Sequence, residues 1–286
     1  MLKLGSQSFP DDAMLIMAIV NRTPDSFYDK GATFEFDVAL DRVRAVIADG
    51  AEIVDIGGVK AAPGTTVTVA DEVERTVPFV AAVRAEFPSV VISVDTWRAP
   101  VGAAACQAGA DIINDAWGGW DPDLAAVAAQ YDAAIVCTHA GGVEPRTRPH
   151  RIEYDDVVAD VLTRTVALAE RAVSLGVSPS SVLIDPGHDF GKNTRHSLEV
   201  TRRLSEMIET GWPVLVSLSN KDFIGESLNQ PVGERLIGTL ATTSVSAWLG
   251  ARVFRAHNVA ETRQTLDMVA AIRGTRPPVR TVRGLA

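Results

Sequence analysis

The chain has 286 residues, 47% hydrophobic and 22% charged, enough for a large core and too apolar for a disordered chain. Its 36 acids outweigh 27 lysines and arginines to give a net charge of −9, which excludes the overall basic footprint of a nucleic-acid or anionic-membrane binder. Cys106 and Cys137 show no CxxC spacing, so they predict neither a zinc site nor a disulfide framework and fit a reduced, cytoplasmic setting.

The opening string MLKLGSQSFPDD turns polar at once and predicts no signal peptide. MLIMAIV (14–20) is too short to span a bilayer. It is the first of eight short apolar runs, followed by EIVDI (52–56), VVISV (90–94), DIIND (111–115), AAIVC (133–137), SVLID (181–185), PVLVS (213–217) and ARVFRA (251–256). These runs are rich in Val and Ile with little alternation, the pattern of strands covered on both faces. Amphipathic stretches such as FDVALDRVRAVIADG and RHSLEVTRRLSEMIETG separate them, several ending in a capping glycine (Gly50, Gly176, Gly211). Eight strand–helix units with no linker predict an α/β fold, a TIM (β/α)8 barrel formed as a single domain by residues 1–286. A doubly wound sheet is the alternative, but no GxGxxG follows the first strand.

In such a barrel the chemistry sits where strands end. The residues there are Asn21, Asp55, Asp95, Asn114 with Asp115, His139, Asp185, Lys221, and Arg255 with His257. A single loop Asp or Asn is usually a turn or cap residue. A polar group after nearly every strand predicts instead a polar site ringed by the barrel mouth.

NRTPDSFYDKG (21–31) reads either as a turn-rich loop capped by Asp25 or as a lid with Asn21 at its base, near a phosphate or a metal. IVDIGGVKAAPGTT (53–66) breaks a buried strand with two glycines, as if to bring backbone close to a ligand, yet follows them with a lone lysine. Asp95, Asn114 and Asp185 would converge on a flat heterocycle with several N–H donors, a carboxylate accepting two parallel bonds. Lys221 is either a solvated surface charge or a partner of Asp185 that also touches the heterocycle. Arg255 and His257 lie two residues apart on the same side of a strand end and read as an anion clamp. No Walker A spacing, nucleophilic triad or zinc motif is present.

Taken together, AIVNRTPDSFYDKG, VDIGG–PG, ISVDT, IINDAWG, LIDPGHDFGK, SNKDFIGESL and RAHN resemble the dihydropteroate synthase family, in family order and over essentially the whole chain. The family joins p-aminobenzoate to a dihydropterin pyrophosphate on a TIM barrel. The resemblance implies pterin contacts at Asp95, Asn114, Asp185 and Lys221, pyrophosphate contacts at Arg255 and His257, and Mg2+ beside Asn21. It implies a homodimer packed through barrel helices, including the one near Trp248, and p-aminobenzoate or its sulfonamide and sulfone analogues as second ligands. It also makes Asp25, Lys60, Pro63 and Ser219 candidates for moving-loop or second-substrate positions.

The chain departs from the family where the chemistry is most demanding. Gly-Gly-Glu-Ser-Thr-Arg-Pro-Gly in the family becomes Gly57-Gly58-Val59-Lys60-Ala61-Ala62-Pro63-Gly64, so the substrate-reaching Thr and Arg become Ala61 and Ala62. Lys60 restores charge but cannot copy a bidentate guanidinium. Ser-Arg-Lys-Ser becomes Ser219-Asn220-Lys221-Asp222, losing another arginine and adding an acid. This asymmetry resembles the divergent second branch of the family and predicts little or no synthase activity with weak dihydropterin pyrophosphate affinity. An active synthase in which Lys60 substitutes for the lost groups, and a non-catalytic pterin-binding protein, are the alternatives. Corrinoid-linked methyltransferase domains share the barrel, but no cobalamin or zinc module accompanies it here.

Overall fold

The eight apolar runs form the staves of one barrel in the computed structural model, which describes residues 1–23, 35–147 and 152–284. They are β3 (Leu15–Asn21), β4 (Ile53–Gly57), β5 (Val91–Asp95), β6 (Ile112–Asp115), β7 (Ala134–Thr138), β8 (Val182–Asp185), β9 (Leu215–Ser217) and β10 (Val253–Ala256). All are parallel, paired in the order β8-β7-β6-β5-β4-β3-β10-β9. The ring closes through a parallel bridge between Ile184 and Val214, with Ile184 N–H donating to the Pro213 carbonyl at 3.0 Å. Helices follow each strand: α1 (Phe36–Ala48), α2 (Val69–Glu86), α3 (Ala99–Gln107), α4 (Leu124–Gln130), α5 (Val157–Ser174), α6 (Thr194–Arg202) with α7 (Leu204–Ile208), α8 (Asp222–Leu228) with α9 (Leu236–Leu249), and α10 (Val259–Arg273). Asp156 caps α5 and a Thr68–Asp71 capping box starts α2, fixing where the chain turns from loop to helix.

Alternate residues of each strand serve two cores. Ile16, Val54, Ile92, Ile113 and Ile184 face outward into a shell with helix residues such as Val43, Phe79, Val83 and Leu204. Leu15, Met17, Ile53, Val91, Ile112, Leu183, Leu215 and Val253 face the axis. Farther along the same inward-facing rows the side chains turn polar: Asp55, Ser93, Asp95, Asn114, Asp185 and Arg255. The barrel is therefore dry at its base and polar at its mouth.

The base carries a feature the polar reading of MLKLGSQSFPDD missed. Residues Leu2–Leu4 (β1) and Gln7–Phe9 (β2) form an antiparallel hairpin turned at Gly5, whose φ of +57° favours glycine. Leu2 and Leu4 are fully buried and plug the axial core from below. The L-x-L alternation was the signal, but three residues are too few to separate a strand from a loop.

Candidate functional site

Asp55 is the hub of the mouth. Although fully buried, it accepts from Ser93 Oγ at 2.6 Å, from Arg255 Nε at 2.6 Å and, at a long 3.4 Å, from Asn114 Nδ2. The other edge of the Arg255 guanidinium donates to Asp95 Oδ2 at 3.0 Å. Burial pushes the Asp95 carboxyl up, against the pull of Arg255. Asp55 was visible as a strand-end acid but carried no separate motif. Its signal was an acid on the inward-facing row of an otherwise apolar strand.

The geometry revises the anion-clamp reading of Arg255 and His257. Arg255 is already paired with two carboxylates, so an anion reaching it must compete with both. His257 stands farther out, with Nδ1 2.9 Å from Ser219 Oγ, which also accepts from the His257 backbone N–H at 3.2 Å. Asn21 ends β3, its Oδ1 lying 3.5 Å from where a Cβ on Gly57 would stand. Asp25 lies outside the described residues.

Asp185 and Lys221 occupy the opposite rim. Burial raises the Asp185 carboxyl, opposed by the charge of Lys221 and by the Gly187 N–H donating at 2.7 Å. Burial likewise lowers the Lys221 ammonium, opposed by Asp189 and Asp185. Of the two readings of Lys221, neither holds as drawn: the side chain is partly buried, and it makes no direct pair with Asp185. Lys221 Nζ donates to the His188 carbonyl and lies 4.7 Å from the Phe190 ring centroid. Asp222, the acid beside it, pairs with Arg235 at 2.8 Å and also adds to the field that supports the Lys221 ammonium. Asn220 is buried and turned inward, donating to Ser219 Oγ and Asn258 Oδ1 at 3.3 Å.

Behind the Asp185 loop lies a network the sequence did not disclose. Lys192 Nζ donates to His139 Nδ1 at 2.5 Å and to the carbonyls of Gly187 and Phe190 at 3.1 Å. His139 Nε2 in turn donates to Asp160 Oδ1 at 2.7 Å. Burial brings Lys192 down to about 7 and, with Lys192 nearby, His139 down to about 4. The network fixes the turn that carries Asp185, so it positions the site without entering it. His139, one residue past β7, falls on the outward-facing row and so does not join the mouth, a distinction that its place at the strand end does not reveal.

The loop after β4 is pinned by its backbone. Arg75 donates to the Gly58 carbonyl at 3.1 Å, Arg146 to those of Ala62 and Thr65 at 3.3 and 2.8 Å, and Arg98 to that of Val67 at 2.8 Å. Val59 packs into an apolar cluster with Trp97, Trp117 and Phe190. The double glycine serves the fold as much as a ligand: a Cβ on Gly58 would stand 2.6 Å from Thr76 Cγ2 of α2, whereas Gly57 faces the mouth. Lys60 is partly buried, Ala61 and Pro63 are exposed, and neither alanine carries a polar side chain into the site. A crevice of about 280 Å³ lies to the side, between the β7–α5 loop and Arg164 and Arg171 of α5, apart from the convergent polar groups.

Residues 17–257 match the family described as pterin binding enzyme. The chain belongs to the pterin binding enzyme family. It is 57% identical over 279 residues to a Mycobacterium tuberculosis protein named inactive dihydropteroate synthase 2, covering 96% of this chain and 88% of that one. Among solved structures, a Yersinia pestis dihydropteroate synthase in a sulfonamide drug complex superposes with a TM-score of 0.90 at 33% identity, covering 96% of this chain and 99% of that chain. A Thermus thermophilus dihydropteroate synthase in complex with 4-aminobenzoate gives 0.84 at 34% identity, covering 95% and 99%.

The Lys192–His139 network predicts a pH signature. The unfolded chain keeps the Lys192 proton to about 10.5 and the His139 proton to about 6.5, while the folded chain releases them near 7 and 4. At Lys192 the unfolded state binds more protons across pH 7–10.5, so stability rises with pH there. Across pH 4–6.5 the His139 contribution is opposed by Asp95 and Asp115, whose folded carboxyls are raised to about 7 and about 6. Denaturant unfolding should show the upper rise, and Lys192→Met should flatten it. An unchanged upper slope in that variant would remove Lys192 as its source.

Proposed function

We propose that this member of the pterin binding enzyme family holds a pterin in its barrel mouth and has little or no dihydropteroate synthase activity. The observation that carries the reading is the β4–α2 loop, where Ala61 and Ala62 stand beside a mouth that keeps Asp95, Asn114, Asp185 and Lys221. A carboxylate between neighbouring strands suits the paired N–H donors of an aminopyrimidinone ring. Lys221, poised over Phe190, adds a donor for a ring nitrogen or carbonyl.

Synthesis demands more than ring binding. The departing pyrophosphate needs positive charge aimed at it as the bond breaks. His257 remains for that role, but Arg255 meets an anion already engaged by Asp55 and Asp95. The loss at Ala61 and Ala62 together forfeits at least one charged hydrogen bond, about 1.5–3 kcal/mol, roughly 10- to 100-fold. Asn21 offers one amide oxygen, and no group of three or more metal-binding side chains converges among the described residues. That donor set fits Mg2+ carried in on substrate phosphates better than a resident ion. Bound beside Asn21, the ion would neutralise charge on the leaving group.

An exposed apolar face supports a homodimer: Ile237, Val245 and Trp248 on α9 with Met268 and Ile272 on α10, Ile237 being 83% exposed. p-Aminobenzoate, or a sulfonamide or sulfone analogue, is the proposed second ligand at the outer mouth, near Pro63 and Ser219. Free Cys106 and Cys137 support a cytoplasmic location, and no helix among the described residues is long and apolar enough to cross a membrane.

Expression in a synthase-null bacterium without folate end products should fail to restore growth, and robust growth would overturn the reading. Placing Thr at Ala61 and Arg at Ala62 together should tighten dihydropterin pyrophosphate binding by roughly 10- to 100-fold. Unchanged affinity would locate the defect elsewhere. Light scattering should give a dimer mass for the native chain and a monomer mass for Trp248→Glu; a native monomer would remove the dimer.

A further inference from the structure

Thr138 ends β7 with its side chain on the row that faces the barrel axis. Ala134 and Val136, four and two residues earlier, belong to the axial core, and the Cα register partner of Thr138 is Asp185. Neighbouring strands run about 4.8 Å apart, so the Thr138 and Asp185 side chains stand side by side at the mouth. The Thr138 methyl lies 3.2 Å from where a Cβ on Gly187 would stand, on the turn whose N–H holds the Asp185 carboxylate. The backbone carbonyl of Thr138 faces the other way, 3.1 Å from where a Cβ on Gly118 would stand.

Only 2% of Thr138 is exposed, and its Oγ1 has no hydrogen-bond partner among the described residues. Buried hydroxyls are nearly always satisfied, because stripping water from one without replacing its bonds is costly. Other buried threonines here find partners within the protein: Thr76 and Thr165 donate to carbonyls of their own helices. Valine would fill the space of Thr138 without that cost. The hydroxyl therefore carries a penalty in the free protein that a bound molecule can relieve.

We infer that the Thr138 hydroxyl is a ligand-reading group, hydrogen-bonding the polar edge of a nitrogen heterocycle beside the N–H donors that Asp185 accepts. This rests on the pterin reading of the mouth. A carboxylate only accepts and Lys221 only donates, whereas a hydroxyl rotates to do either. Thr138 thus selects rings with a ring nitrogen or carbonyl adjacent to the N–H pair, and penalises rings with a C–H there.

Calorimetric titration of the purified full chain with 6-hydroxymethylpterin tests this, using the native protein, Thr138→Val and Thr138→Ser, with melting temperatures of the free proteins alongside. Thr138→Val should bind about 5- to 100-fold more weakly, while the free variant melts at the native temperature or higher. Thr138→Ser should stay close to native in affinity. Equal binding by the native and valine proteins overturns the inference and leaves the pterin reading standing. Weaker binding together with a lower melting temperature in Thr138→Val also overturns it, because the hydroxyl would then serve the fold. No binding by the native protein removes the pterin reading and this inference with it.

Discussion

Arg255 lies between Asp55 and Asp95 in the middle of a barrel whose base is apolar, and the rest of the mouth is arranged around that contact. A guanidinium and two carboxylates held away from water are tolerated only because they satisfy one another, with Ser93 and Asn114 completing the Asp55 shell. Removing one partner of such a cluster costs about 3–5 kcal/mol, so its members are held in place by the fold itself. The layer beneath, sealed by Leu2 and Leu4, keeps the base of the axis apolar and sets the polar groups at the mouth. The mouth is thereby stiff at its centre: Asp95 and Asn114 present their groups from strands, not from loops.

That stiffness sharpens the contrast with the β4–α2 loop. Its carbonyls are tied down by Arg75, Arg98 and Arg146, and Val59 is packed against Trp97 and Trp117. Each of these contacts uses backbone or an apolar side chain, so the loop keeps its course while contributing no group at Ala61 or Ala62 to a reacting centre. On the proposed reading, a rigid heterocycle site with weakened leaving-group stabilisation binds with little acceleration, since only interactions stronger in the transition state raise the rate. Arg255, drawn inward by two acids, adds to the same imbalance.

Much of this was legible in the residues. Eight Val- and Ile-rich runs gave the barrel, and the polar residues ending most of them gave the mouth, because parallel strands covered on both faces leave little else to vary. What escaped notice was set by distance in sequence or by short length. The β1–β2 hairpin spans too few residues for periodicity to register. Lys192, His139 and Asp160 are 53 and 21 residues apart in their successive contacts, and nothing local announces that they meet. Arg255 was recognisable as a mouth residue, but its pairing with Asp55, 200 residues away, follows only from barrel closure. The Asp185–Lys221 pair seemed natural from charge, yet the turn at Gly187 gives each a nearer backbone partner.

The most direct test is pyrophosphate release by the purified chain, supplied with dihydropterin pyrophosphate, Mg2+ and p-aminobenzoate at concentrations that saturate the pterin site in a parallel titration. The account predicts an occupied site with release no faster than in a protein-free control. Release at about 1 s⁻¹ or faster, the range of ordinary enzymes, would contradict it.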